Sequence, residues 1–187
     1  MCGRDGVELR FYFCPDDPHV IALAEHLLQA QEADGGFTWD IHSESGDPHT
    51  TLCVLEGFGQ LGVSVPEHAP VGIEEAKAKA FEFLLSNRLF IDAADRRFRK
   101  LSYPYRYRYD LLRALECFAN QHVSYDVRMQ PAIDWLHAKR KKDGLWYLEN
   151  RHKGNEHLLM EELGKPSRFI TLKALYIGKY LELPAVR

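Results

Sequence analysis

The chain has 187 residues, 45% of them hydrophobic and 27% charged, with a formal net charge of -3. That balance is ordinary for a globular protein and gives no whole-molecule electrostatic case for nucleic acid, so no nucleic-acid partner is expected. No run approaches the ~20 apolar residues of a membrane span, the start MCGRDGVELR carries no signal-peptide core, and no membrane span is expected. Four cysteines (Cys2, Cys14, Cys53, Cys117) form no CxxC pair, a usage that suits a reducing cytoplasm.

Residues 1–16 are poorly patterned and read as an N-terminal arm, with Val7 to Phe13 a short strand or extended segment. From Asp17 onward the pattern is helical. Asp17-Pro18 supplies an N-cap and a first-turn proline, and Ile21, Leu23, Ala24, Leu27 and Leu28 recur at helical spacing. Asp47-Pro48 repeats the signal before Leu52, Leu55, Phe58 and Leu61. A third helix is expected over about 74–88, a fourth over about 107–121 and a fifth ending at Lys142. The basic run 139–142 suits a helix C-terminus. The sixth follows Pro166, with Ser167 as its cap. Little sheet is expected.

The helices pair into a repeat of about 50–60 residues. Gln31 precedes Gly35-x-Phe37 as Arg140 precedes Gly144-x-Trp146, and Thr51-Leu52-x-x-Leu55 matches Thr171-Leu172-x-x-Leu175. Arg88 holds the corresponding place in the middle hairpin, without the glycine turn, and Tyr109 to Leu115 overlays Phe169 to Leu175. Each glycine–aromatic turn reads as a clasp between two helices. Trp146 must also find a partner for its indole N–H.

Gln31-x-x-x-Gly35-x-Phe37 resembles the QW motif of squalene and terpenoid cyclases, and the run from Gln29 to Phe58 resembles a repeat of protein prenyltransferase β-subunits. LSYPYRYRYDLLRAL, DGLWYLENRHKG and GKPSRFITLKAL resemble a bacterial prenyltransferase-like or squalene-cyclase-like group. The resemblance spans about 18–183 and implies an all-α, incomplete (α/α) toroid of three helical hairpins over 17–187. Such toroids have more helix pairs, so a second copy or a longer toroid is implied. The family's chemistry is not reproduced: no Asp-x-Asp-Asp acid, no Asp-Asp-x-x-Asp magnesium motif and no Asp-x-Cys zinc pair occurs, and Asp92-Ala93-Ala94-Asp95 has another spacing. No cofactor and no metal are expected.

Two sets of residues are candidates for a site. Tyr105, Tyr107, Arg108 and Tyr109 crowd a helix N-terminus, where N–H groups favour anions; they read as a ligand cradle or as rim packing. The long loops supply Asp40, His42, His49, His152, His157, Glu161 and Arg168. His157 and Glu161 lie four apart, so a helical turn would make them an acid–base pair or two metal ligands; a hydrogen-bonded structural loop is the alternative. His49, His157, Glu161 and Tyr109 are the catalytic candidates, and the others bind substrate. The resemblance implies an apolar or amphipathic, isoprenoid-like small molecule as partner, bound or cyclised or transferred. A glycan-acting lyase or hydrolase and a non-catalytic protein-binding scaffold are the rivals.

Overall fold

The computed structural model describes residues 7–14, 17–67, 69–152 and 158–181. Among them the chain is helical: α1 (Val7–Phe13), α2 (Pro18–Gln29), α3 (Pro48–Ser64), α4 (Ile73–Ser86), α5 (Leu111–Asn120), α6 (Gln130–Ala138) and α7 (Arg168–Tyr180), joined by short 3-10 turns. No strand occurs among the described residues, and two isolated bridges join Ser102 to Asn150 and Tyr147 to Pro166. No described helix is long and apolar enough to cross a membrane.

Helix starts follow the side-chain caps. Asp17 accepts from the His19 N–H, Asp47 from Thr50, Asp110 from Arg113 and Ser167 from Ile170, each satisfying a first-turn donor. Asp110 therefore moves the start of α5 to Leu111, later than the 107 expected. It also corrects one repeat register: Tyr109 precedes its cap, whereas Phe169 lies inside the first turn of α7. Val7–Phe13 is a helix rather than a strand or extended segment; it packs on α3, with Phe11 at 0% exposure. Helix α6 ends at Ala138, short of Lys142, because the chain turns to let the Lys141 N–H reach the Leu145 carbonyl at 2.9 Å.

The chain divides into two compact units between Asn87 and Arg88. In the first, α3 is buried nearly all round, and Leu52, Leu55, Phe58 and Leu61 are inaccessible. In the second, α5 packs on α6 and α7 and buries Leu111, Ala114, Leu115 and Phe118. That unit opens on three successive left-handed residues, Arg88, Leu89 and Phe90 (φ 49°, 52° and 55°). Such residues cost roughly 1–2 kcal/mol each. Burial of Leu89 and the 2.6 Å hydrogen bond from the Tyr109 hydroxyl to its carbonyl offset part of that.

Each unit holds one copy of the clasp. In the first, the Phe37 N–H donates to Thr51 Oγ1 (2.9 Å), the Thr51 hydroxyl returns to the Phe37 carbonyl (3.2 Å), and that carbonyl also accepts the Asp47 N–H (2.8 Å). Trp146, Thr171 and Ser167 make the same three bonds at 3.1, 3.4 and 2.9 Å. Gln31 Nε2 closes the first turn on the Gly35 carbonyl (2.9 Å), and Arg140 Nε closes the second on that of Gly144 (3.0 Å). The correspondence of these two clasps, read from spacing, is thus present bond by bond. The Trp146 indole N–H finds the Leu136 carbonyl at 2.7 Å.

Candidate functional site

Helix α5 reads LLRALECFAN, an apolar sequence interrupted by Arg113 and Glu116. Three residues apart, they rise along one face. Arg113 is only 4% exposed, and its Nη1 donates to the Arg108 carbonyl at 3.0 Å. Its guanidinium lies 4.7 Å from the centre of the Tyr105 ring, and Lys173 of α7 lies 4.8 Å from the same ring. Lys173 also forms an ion pair with Glu116, both side chains being more than four-fifths buried. Tyr103 stacks on Phe169 with ring centres 4.2 Å apart. The N-terminal ends of α5 and α7 thus carry one connected group of aromatic rings and opposite charges.

Asp110 is the buried acid of this group, at 1% exposure. Its Oδ1 accepts the Arg113 N–H at 2.9 Å, while Oδ2 is enclosed with no hydrogen bond among the described residues. Burial drives its pKa from 3.8 up to about 7, against the Arg113 N–H bond and the charges of Arg113 and Lys173, which favour the carboxylate. Burial, and then the negative charges of Glu161 and Glu116, raise the Tyr103 hydroxyl as well. The arrangement offers a carboxyl that exchanges its proton near neutrality and two cations over one ring.

Of the residues singled out in the sequence, Tyr105 belongs to this group. Arg108 adjoins it through its carbonyl, and its guanidinium lies 5.2 Å from the centre of the Tyr107 ring, which is 41% exposed. Glu161 Oε1 accepts the Arg168 N–H at 2.8 Å and so caps α7, while the Arg168 side chain is exposed. Tyr109 is placed as a core ring, 2% exposed, edge-on to Phe90 and Phe98, with its proton committed to Leu89. His152 Nδ1 lies 3.5 Å from Asn150 Nδ2, which bonds Ser102. Asp40, His42 and His49 belong to the first unit: Asp40 Oδ1 accepts the His42 N–H at 3.0 Å, and His49 stands in the first turn of α3. His157 lies outside the described residues.

Arg113, Glu116 and Lys173 were not singled out from the sequence. The available signal was a charge inside an apolar helix, since a buried arginine needs partners to offset its desolvation. Among the described residues no group of three His, Cys, Asp or Glu side chains could hold a metal ion. No family model, curated protein or solved structure matches the chain.

Proposed function

We propose that the part of the chain from Arg88 onward binds a small amphipathic molecule, isoprenoid-like or otherwise apolar in its body and anionic in its head group. The observation that carries this reading is the pair of cations, Arg113 from the first turn of α5 and Lys173 from the second turn of α7, held over Tyr105. With its own cations over the ring, Tyr105 is a poor cradle for a carbocation, whereas cations attract an anion. On α7 the residues Phe169, Leu172, Lys173 and Tyr176 share one helical face, which sets the cation among apolar side chains. Leu172 is 67% exposed there and offers surface to an apolar body. Asp110, enclosed behind Arg113, is a positioning group in this scheme. In the wider reading each clasped hairpin is one step of an incomplete (α/α) toroid, and cyclisation or transfer would act on the molecule so held.

A carbohydrate ligand is the second reading. The carboxylates of Glu161 and Glu116 act on Tyr103 of this group, and acids beside aromatic rings suit sugar hydroxyls.

Tryptophan fluorescence titrations with farnesyl diphosphate, farnesol and a neutral oligosaccharide test both. Saturable binding of the diphosphate is expected, at least about tenfold weaker in the Lys173→Met/Glu116→Gln double variant, which leaves no lone carboxylate behind. Its melting temperature should stay close to that of the parent. Binding of the oligosaccharide alone would favour the second reading, and saturation by none of the three would reject both.

A further inference from the structure

We propose that the same unit carries another site, separate from the α5–α7 group, which binds a phosphorylated small molecule through its phosphate. The site is an open cleft of about 520 Å³ lined by Arg96, Arg99, Lys100, Lys139 and Lys141, with Glu149 as the one carboxylate in its lining among the described residues. It is bounded by the 3-10 turn Arg96–Arg99, the end of α6 and the glycine turn after it.

In a chain of net charge -3, five cations around one cleft are a local concentration of positive charge. Glu149 does not offset it. Its carboxylate is held by Lys139 Nζ at 2.8 Å and by the Leu101 N–H at 3.1 Å, so it neutralises Lys139; Asp143, bonded by the Tyr147 hydroxyl at 2.7 Å, acts on Lys141, and Arg96, Arg99 and Lys100 remain. Arg99 donates to the Ile91 carbonyl, a neutral partner. Arg96 and Lys100 have no acidic partner among the described residues, and Lys141 stands 5.9 Å from the centre of the Tyr147 ring. Like charges in excess of their counter-ions repel, and a phosphate placed among them relieves that repulsion while accepting the forked N–H groups of arginine.

Size and lining narrow the class. The volume lies in the range of organic ligands and exceeds what a bare anion fills. Tyr147, Leu148 and Leu163 supply an apolar wall for the organic part. Leu163 is 60% exposed, so this wall is unfilled by the protein itself. Nucleic acid fits less well: a backbone needs a long basic stripe, while here the cations close on one cleft in an acidic chain.

The test is calorimetric titration of the full chain, at physiological salt, with inorganic pyrophosphate and a hexose phosphate; sulfate and the neutral hexose are the controls. Saturable binding of the phosphates is expected, with affinity at least about tenfold lower in Arg96→Ala/Lys100→Ala and unchanged in Lys173→Met/Glu116→Gln. That last pair of variants separates this site from the α5–α7 group. Removing cations that repel one another should leave the melting temperature without ligand equal or higher. Equal affinity in the parent and the Arg96→Ala/Lys100→Ala variant overturns the proposal. So does a weak response shared with sulfate, which would mean an adventitious ion only, and so does tighter binding of a single-stranded RNA oligomer than of the hexose phosphate.

Discussion

The two clasps share one hydrogen-bond frame and differ in what lies against it. In the first, Gly35 (φ +86°) turns against α4: a Cβ there would meet the Lys79 carbonyl oxygen at 2.6 Å, and Gln31 spans the gap with a second bond to the Ala76 carbonyl at 2.8 Å. In the second, Gly144 (φ +82°) faces outward, and a Cβ would meet only the Arg140 guanidinium at 3.3 Å. Where the first turn is packed shut, the second carries Arg140, Lys141 and Tyr147, and the basic cleft opens beside it. One motif is thus spent on packing in one unit and left free to present charge in the other.

Trp146→Ala should have the largest effect, about 3–5 kcal/mol, as large-to-small core changes do. Trp146→Phe, which makes the second clasp resemble the first and loses the bond to the Leu136 carbonyl, should cost about 1–2 kcal/mol. Urea denaturation measures both, and a Trp146→Phe loss near zero would mean that the indole N–H contributes nothing.

The glycines give the sharpest contrast. Gly35→Ala combines a left-handed backbone with a backbone clash and should cost about 2–4 kcal/mol. Gly144→Ala meets only the end of a flexible side chain and should cost about 1–2 kcal/mol. Equal costs would show the two turns to be equally enclosed.

Thr51→Val strands the buried Phe37 N–H and should lose about 1–3 kcal/mol; Thr171→Val, half-buried and with longer bonds, should lose less than about 1 kcal/mol.

A further effect is one of pH. The folded chain holds the Asp110 proton up to about pH 7, whereas the unfolded chain releases it near 3.8. The native state therefore binds more protons in that window, and stability falls as pH rises through it. Asparagine still caps a helix but has no proton to lose, so Asp110→Asn should fall less between about pH 5 and about pH 8. Parallel curves for parent and variant would contradict the buried-acid account.

Much of the fold was legible because its signals are local. Caps at Asp17, Asp47 and Ser167 and the Gln31/Arg140 and Thr51/Thr171 correspondences each rest on a few neighbouring residues. The start of α5 was misplaced because the residues just ahead of Asp110 were read into the helix, whereas the cap at Asp110 starts it at Leu111. The short segment Val7–Phe13 was misread because its residues favour strand, and packing on α3 decides its form. The candidate group was only half legible: the tyrosines announce themselves, but Lys173 becomes a partner of Tyr105 and Glu116 only through the packing of α7 on α5. The basic cleft was hidden for the same reason, since Arg96 and Lys141 are 45 positions apart in the sequence and meet through the fold.

The most direct test of the claim that ligand chemistry resides in the second unit is an amide chemical-shift titration of the isotope-labelled chain with farnesyl diphosphate. The account predicts saturable shifts at 103–116 and 167–176, with Gly35, Phe37 and Thr51 unmoved. Shifts centred on the first clasp, or on Asp40, His42 and His49, with none around Tyr105 and Lys173, would contradict it.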